Sequence, residues 1–203
     1  MFTSLSSRTA ASLVQSSRTQ LRQLPSRSKY FHSTPANMVK VGDSIPSIEL
    51  FRANPGDKVN IADATKSGKS LIIGVPAAYS PGCSETHIPG YLGQPEKLKE
   101  YSGRVYIVSV NDAFVMNAWA KTFENDLNVK LTQKSGEPIA SFLGDADGSF
   151  TKALDIQFDA SPLLGNHRAK RSAILVEDGK VTKVAIEPDN TGITVSSVEK
   201  FLA

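Results

Sequence analysis

The chain has 203 residues, of which 40% are hydrophobic and 21% are charged, a composition typical of a soluble globular protein with one domain and a short extension. No apolar run approaches the ~20 residues that a membrane-spanning helix needs. The single cysteine excludes an internal disulfide framework and a cysteine-based zinc cluster. We therefore expect no membrane partner, no metal site and no bound cofactor.

Residues 1–36 differ in composition from the rest of the chain. They contain five basic residues and no acidic residue, with abundant Ser and Thr, and the first acidic residue of the chain is Asp43. A segment that is rich in Arg and Ser and free of acids is typical of a mitochondrial transit peptide. We predict a transit peptide over 1–36, cleavage between Tyr30 and Asn37, and a matrix location. A start at Met38 would instead produce a cytosolic form of the same protein.

The alternative for residues 1–36 is a basic arm that binds nucleic acid or lipid. Removal of these residues takes away five positive charges and changes the formal net charge from +3 to −2. The basic character therefore belongs to the extension, and the rest of the chain is expected to have no nucleic-acid partner.

Residues 39–203 read as one α/β domain. The predicted elements, in order, are a strand at 47–51, a helix at 60–67, a strand at 71–75, a helix at 83–98, a strand at 104–110, a helix at 113–124, weak strands at 129–132 and 139–143, a helix at 150–156, a hairpin of 172–176 and 180–186, and a helix at 196–202. Alternating strands and helices followed by a hairpin and a final helix predict a thioredoxin-like sandwich, with a central mixed β-sheet flanked by helices.

Cys83 lies where a buried strand meets a helix. Leu71–Val75 is apolar and rich in β-branched residues, and residues 76–82 form a loop with two prolines and a glycine. In the first turn of the following helix, backbone N–H groups and the helix dipole favour a thiolate over a thiol. The pattern indicates a reactive cysteine, whereas a lone cysteine elsewhere is more often a small buried hydrophobe.

Other chemistry is possible for this cysteine. A dithiol redox centre needs Cys-x-x-Cys, but Glu85 and Thr86 occupy the positions after Ser84. A cysteine hydrolase would need His87 or His167 as its base. His87 follows Cys83 by four residues on the same helix and can hardly be aimed at its sulfur. A purely structural module with an inert cysteine remains the third alternative.

The segment around Cys83 resembles the peroxiredoxins. Pro76-x-x-x-Ser80-x-x-Cys83 matches the family pattern Pro-x-x-x-Thr/Ser-x-x-Cys, and residues 74–91 are similar to the atypical type-5 subfamily, which includes the fungal and plant type II enzymes. Three further segments match in the same order, namely 40–46, 109–115 and 165–172. The chain departs from the pattern at Ala77, where glycine is usual, and at Ser80, where threonine is commoner and the hydroxyl is kept.

The resemblance implies a thiol-dependent peroxidase that reduces hydrogen peroxide and alkyl hydroperoxides. Cys83 would attack the peroxide and become a sulfenic acid. The Ser80 hydroxyl is expected to donate to the sulfur or to a peroxide oxygen, and the N–H groups of Gly82 and Cys83 to act as fixed donors. Pro76, which has no N–H, would shape the loop and help to exclude water.

A cation beside the sulfur would stabilise the thiolate and polarise the peroxide. The resemblance assigns this role to Arg171, immediately before the strand that begins at Ser172, with Arg168 as the competitor. The alternative for residues 167–171 is a solvated basic loop. Trp119 and Phe114 are expected to wall the pocket.

Because Cys83 is alone, the resemblance implies recycling by an external thiol, from glutathione with glutaredoxin or from thioredoxin. Relatives of this kind commonly form homodimers through the loops beside the nucleophile, so Tyr79, Ser80 and Pro81 are the expected interface residues. The alternative function on the same fold is redox sensing or signalling, in which oxidation of Cys83 transmits a signal.

Overall fold

The computed structural model describes residues 38–101, 103–126, 131 and 139–203. The predicted transit peptide lies outside the described residues, as does the predicted strand at 129–132 apart from Leu131. Within the described part of the chain, no helix has the length and apolar character needed to cross a membrane.

Nine short strands are present in the described residues. They are β1 (Glu49–Phe51), β2 (Lys58–Asn60), β3 (Lys69–Val75), β4 (Val105–Ser109), β5 (Ser141–Gly144), β6 (Gln157–Asp159), β7 (His167–Ala169), β8 (Ser172–Glu177) and β9 (Lys180–Ile186). Seven of them form one mixed sheet in the order β2-β1-β5-β4-β3-β8-β9, in which β3, β4 and β5 are parallel and the other pairs are antiparallel. β6 and β7 form a separate antiparallel pair.

The helical segments lie between these strands, except for the last one, which follows β9. They are α1 (Ile61–Thr65), a π-helix (Gly82–His87), α2 (Ile88–Leu92), α3 (Pro95–Leu98), a 3₁₀ turn (Lys99–Tyr101), α4 (Ala113–Asp126), α5 (Ser149–Ala153), α6 (Ser161–Leu164) and α7 (Val198–Phe201). One face of the sheet packs against α2, α3, α4 and α7, and the other against α1 and α5. This arrangement confirms the predicted sandwich of a mixed sheet flanked by helices.

β3 is buried on both faces of the sheet. Successive side chains of a strand point to opposite faces. Leu71, Ile73 and Val75 accordingly join the hydrophobic cluster that contains Cys83, whereas Ile72 joins the cluster on the other face. A central strand of this kind reads as a continuous apolar run, which is why the sequence predicted it.

The predicted helix over 83–98 is interrupted. The structure divides it into the π-helix, α2 and α3, with a break at Gly93 and Gln94. Pro89 and Pro95 have no N–H and cannot continue a regular ladder of helical hydrogen bonds. The apolar spacing was read correctly, but the prolines lie in the first turns of α2 and α3 and mark where these two helical pieces begin.

Other predicted elements have the correct type of secondary structure, but their first or last residues differ from those in the structure. The hairpin β8–β9, the strand β4 and the helix α4 are confirmed. The helix predicted at 150–156 ends at Ala153, and Asp155 follows with a positive φ of 53°. The elements that the sequence did not indicate are β2, β6, β7 and α6, which are only three or four residues long and therefore show no readable period.

Candidate functional site

Cys83 is the second residue of the π-helix that follows β3. Its side chain is completely buried, with an exposed fraction of 0%. Its carbonyl accepts a hydrogen bond from the N–H of Ile88, five residues on, which is the wide π-type turn. Such turns occur often at functional sites. The predicted position of Cys83, in the first turn after a core strand, is confirmed.

Arg171 contacts the sulfur directly. Its Nη1 donates a hydrogen bond to Cys83 Sγ at 3.3 Å, and the arginine is only 3% exposed. Arg171 immediately precedes β8, whose Ser172 pairs with Gly74 near the end of β3. A guanidinium group stays charged even when it is buried, so Arg171 places a positive charge against the Cys83 sulfur.

Two glycines leave room for the close packing of Arg171 and the start of β8 against β3 and the π-helix. A Cβ at Gly74 would lie 2.5 Å from Ser172 Oγ, so a larger residue would force the Ser172 side chain to move. A Cβ at Gly82 would lie 3.1 Å from Arg171 Nη2, which is tighter than ordinary van der Waals contact. Gly82 therefore leaves space for the guanidinium group, in addition to the donor role that the sequence suggested.

Ser80 is close to Cys83 along the chain, but its hydroxyl has a different partner from the expected one. Ser80 Oγ donates to the carbonyl of Ala77 at 3.0 Å. The Ser80 carbonyl accepts hydrogen bonds from the N–H groups of Cys83 at 3.1 Å and Ser84 at 2.8 Å. The loop thus closes on itself in a tight turn, which occupies both the hydroxyl proton and the Cys83 N–H. Pro76 is buried at the end of β3, where this loop begins.

Arg168 supports the loop from a distance. Its Nη1 donates to the Val110 carbonyl at 2.8 Å and to Asn111 Oδ1 at 3.3 Å. Asn111 Oδ1 also accepts the N–H of Ala78 at 3.1 Å, so Arg168 and the loop before Cys83 share one acceptor. Arg168 is half-buried and Arg171 is buried, so the alternative of a solvated basic loop is wrong for both arginines.

The two aromatic residues predicted to wall the pocket have different surroundings. Trp119 is completely buried, and its Nε1 donates to Ser84 Oγ at 3.0 Å, next to Cys83. Phe114 is 64% exposed, so its expected place in the pocket wall is wrong. The buried face of α4 carries Met116, Trp119 and Phe123, and Phe114 points away from that face.

His87 is bonded away from Cys83. Its Nε2 donates to the carbonyl of Ser196 at 3.0 Å, and the hydroxyl of Tyr91 donates to the same carbonyl at 2.7 Å. Burial lowers the pKa of His87 to about 4, although the bond to Ser196 opposes that change. The ring is therefore neutral near pH 7. His167 is exposed on β7, and neither histidine is arranged as the base of a cysteine hydrolase.

Glu187 is part of the site's surroundings and was missed at the level of sequence. It is 1% exposed, and its carboxylate accepts hydrogen bonds from Thr194, Val195 and Ser196. Burial alone would raise the pKa of Glu187, but the hydrogen bonds from Thr194 and Ser196 outweigh it and lower the pKa to about 2. An acid next to a proline after an apolar strand usually lies in solvent, so no local pattern indicated this role.

No group of three or more His, Cys, Asp or Glu side chains that could hold a metal ion occurs in the described residues.

Comparisons with known proteins give a consistent result. The redoxin family pattern matches residues 40–202. "Peroxisomal membrane associated protein 20" of Schizosaccharomyces pombe is 41% identical, over 82% of this chain and 99% of its own. The crystal structure of peroxiredoxin 5 from Alvinella pompejana is 36% identical, with a TM-score of 0.62 over 75% of this chain and 92% of that one. Reduced Prx3 from Vibrio vulnificus, solved in complex with H2O2, is 32% identical, with a TM-score of 0.66 over 81% of this chain and 94% of that one.

Proposed function

The chain belongs to the redoxin family and is a peroxiredoxin, a thiol-dependent peroxidase, and on that premise we propose that Cys83 is the residue that attacks the peroxide. The proposed substrates are hydrogen peroxide and small alkyl hydroperoxides, and Arg171, Ser80, Gly82 and Pro76 complete the site. The hydrogen bond of 3.3 Å from Arg171 Nη1 to Cys83 Sγ carries this assignment. The relative from Vibrio vulnificus, which was solved with H2O2, supports the choice of substrate.

In the proposed reaction the Cys83 thiolate attacks one peroxide oxygen. The S–O bond forms as the O–O bond breaks, and the second oxygen leaves as hydroxide or alkoxide and takes a proton from water. The positive charge of Arg171 stabilises the sulfur anion before attack and the developing negative charge during it. Ser80 maintains the turn that aims the sulfur, since its hydroxyl and carbonyl close the loop between Ala77 and Ser84.

The Cys83 sulfenic acid must then be reduced. The chain has one cysteine, so no second cysteine of the same subunit can form a disulfide with it. An external thiol attacks the sulfenic sulfur and displaces water, and a second thiol breaks the resulting mixed disulfide and restores Cys83. We propose glutathione with glutaredoxin, or thioredoxin, as the source of these thiols. Since Cys83 is fully buried, the turn at 80–84 has to open before so large a reductant reaches it.

The test is steady-state consumption of hydrogen peroxide with each reductant supplied separately. We expect turnover with at least one of glutathione/glutaredoxin and thioredoxin. Cys83→Ser should have none, because a serine hydroxyl stays protonated at neutral pH, and its circular dichroism spectrum should match that of the wild type. Peroxide turnover by a catalase-free Cys83→Ser sample would refute the assignment of the nucleophile.

The proposed homodimer forms through the loops beside Cys83, with residues 79–81 in the interface and a two-fold axis, the commonest symmetry for such contacts. Large exposed apolar side chains support this surface: Tyr79 is 50% exposed, Phe114 64% and Leu163 90%. They lie on neighbouring segments, because Arg168 bonds both the Leu164 carbonyl and Asn111, and Asn111 bonds the N–H of Ala78.

Sedimentation velocity at micromolar concentration tests this surface. The wild-type chain from residue 38 should sediment as a dimer, and Phe114→Glu should sediment as a monomer because it places a charge in an apolar contact. Val41→Glu is the matched control, since Val41 is also largely exposed but lies in the segment before β1. A wild-type monomer, or equal behaviour of the two variants, would contradict the proposed interface.

Residues 1–36 are proposed to direct the protein to the mitochondrial matrix, on the strength of their acid-free, Arg- and Ser-rich composition. A fusion of residues 1–36 to a fluorescent reporter should enter mitochondria, and a chain that starts at Met38 should stay in the cytosol. A cytosolic signal from the fusion, or a peroxisomal location of the full chain such as the name of the relative from S. pombe suggests for that protein, would contradict the proposal.

A further inference from the structure

The Arg171 guanidinium group is held by a loop, residues 187–196, that follows β9. Arg171 Nε donates to the carbonyl of Thr191 at 3.0 Å. The backbone N–H of Arg171 donates to the carbonyl of Asn190 at 2.7 Å, and its carbonyl accepts the N–H of Glu187 at 2.9 Å. Side chain and backbone of Arg171 are therefore both positioned by the same loop.

The opposite end of this loop is attached to the helical segment that carries Cys83. The carbonyl of Ser196 accepts hydrogen bonds from His87 Nε2 at 3.0 Å and from the Tyr91 hydroxyl at 2.7 Å. His87 is the last residue of the π-helix that contains Cys83. The loop at 187–196 thus bridges the arginine and the helix whose sulfur that arginine contacts.

The buried carboxylate of Glu187 connects the two ends of the loop at 187–196. Glu187 Oε1 accepts the N–H groups of Thr194 at 2.7 Å, Val195 at 2.9 Å and Ser196 at 2.9 Å, and also the Ser196 hydroxyl at 2.7 Å. Oε2 accepts the Thr194 hydroxyl at 2.6 Å. Five bonds to one buried carboxylate fold the far end of the loop back onto its beginning.

We propose that Glu187 is a positioning residue for peroxide reduction, which holds the loop at 187–196 closed so that Arg171 Nη1 lies against Cys83 Sγ. Glu187 acts only through Arg171 and touches neither the sulfur nor the substrate. This inference rests on the proposed roles of Cys83 and Arg171. If it is correct, loosening the loop lowers the rate of thiolate oxidation when Arg171 is present. The same change has no such effect when Arg171 is replaced, because there is then no guanidinium group to be misplaced.

The experiment is a double-mutant cycle between Glu187 and Arg171. The rate constant for oxidation of reduced protein by hydrogen peroxide is measured by stopped-flow fluorescence of Trp119, the single tryptophan of the chain, which is bonded to Ser84 beside Cys83. Misplacing a group that stabilises the transition state by about 1 Å can cost ~10²-fold in rate. We accordingly expect Glu187→Ala to lower the rate constant by up to ~10²-fold and Glu187→Gln, which keeps the shape, by roughly tenfold.

The Arg171→Met background separates positioning from general damage to the fold. There, the Glu187 substitutions should change the rate constant by less than about twofold, although they should still lower the midpoint of urea unfolding. The pH profile of Cys83 alkylation should move to higher pH in the Glu187 variants and should not move further in the double variants. Asp189→Asn is the matched control, because this exposed carboxylate of the same loop accepts only the Gly192 N–H and should leave the rate unchanged.

Three outcomes are distinguishable. Equal rate losses in both backgrounds, or no loss with Glu187→Ala, would overturn the role of Glu187. A wild-type rate for Arg171→Met itself would instead overturn the proposed function of the arginine, on which the inference rests. If Glu187→Ala does not fold, the Glu187→Gln pair supports the same comparison with its smaller factor.

Discussion

Arg171 and Cys83 are 88 residues apart in the chain, yet Arg171 Nη1 lies 3.3 Å from Cys83 Sγ. The contact exists because β8 pairs antiparallel with β3, from Ser172 opposite Gly74 to Glu177 opposite Lys69. The arginine just before β8 is thereby placed beside the loop and π-helix that follow β3. The register between β3 and β8 thus determines which arginine contacts the Cys83 sulfur.

Substitution of Arg171 should slow peroxide reduction far more than substitution of Arg168. Loss of an electrostatic group at a reacting centre typically costs ~10²–10³ in rate, so Arg171→Met should fall in that range. Arg171→Lys should also be slow, because an ammonium group cannot bond both Cys83 and Thr191 as the planar guanidinium does. Stopped-flow oxidation by hydrogen peroxide measures these rates.

Arg168→Met should be nearly as fast as the wild type, since its guanidinium bonds Val110, Asn111 and Leu164 and not the sulfur. Its urea-unfolding midpoint should decrease, because the partly buried Val110 carbonyl and Asn111 side chain lose their donor. The reverse order of rates between the Arg168 and Arg171 variants would assign the site cation to Arg168.

The Ser80 hydroxyl should be needed for the turn before Cys83. Ser80→Ala removes the bond to the Ala77 carbonyl and should lower the rate of peroxide reduction, whereas Ser80→Thr keeps the hydroxyl and should react at nearly the wild-type rate. Ser84→Ala is a suitable control, because it removes the acceptor of Trp119 Nε1 and leaves the Ala77–Ser80 turn intact. Equal rates for Ser80→Ala and Ser80→Thr would show that the hydroxyl has no role.

His87 should make the folded protein less stable in mild acid. Burial lowers its pKa from 6.5 to about 4, so between these values the unfolded chain binds a proton that the folded protein does not. The free energy of unfolding therefore falls as pH falls from about 6.5 to 4, by about 3 kcal/mol in total. His87→Gln keeps an N–H for the Ser196 carbonyl and does not titrate in this range.

Urea unfolding at pH 7 and pH 4.5 measures this effect. Between the two pH values the wild type should lose about 2 kcal/mol more stability than His87→Gln. His167→Gln, which changes an exposed histidine, should behave like the wild type. An identical loss in the wild type and in His87→Gln would mean that His87 titrates normally in the folded protein.

In the absence of a thiol reductant, oxidation should be confined to the sulfur of Cys83 and should not produce a disulfide. One equivalent of hydrogen peroxide should produce the sulfenic acid, and excess peroxide the sulfinic acid, as intact-protein mass spectrometry can measure. Glutathione added after the first equivalent should form a mixed disulfide at Cys83. A quantitative Cys83–Cys83 disulfide between subunits, reduced by thioredoxin during turnover, would contradict the one-cysteine mechanism.

The sequence by itself determined the features that depend on neighbouring residues. The apolar run at 71–75, the helical spacing at 113–124 and the hairpin of 172–176 and 180–186 each have a signal within a few residues, and the structure has β3, α4 and the β8–β9 hairpin at these places. The position of Cys83, just after the loop that follows β3, is local in the same sense. The family, too, was recognised from short segments in order.

Only the tertiary structure decided the contacts between distant segments. Arg168 and Arg171 are both basic residues in one short stretch, and the pairing of β3 with β8 selects Arg171 for the sulfur. Burial of Glu187 and exposure of Phe114 depend on which surfaces the loop after β9 and the helix α4 present to the core. Composition and spacing carry no such information, because a hydrogen bond or a buried face is defined by the partner that folding brings to it, and that partner can lie anywhere in the chain.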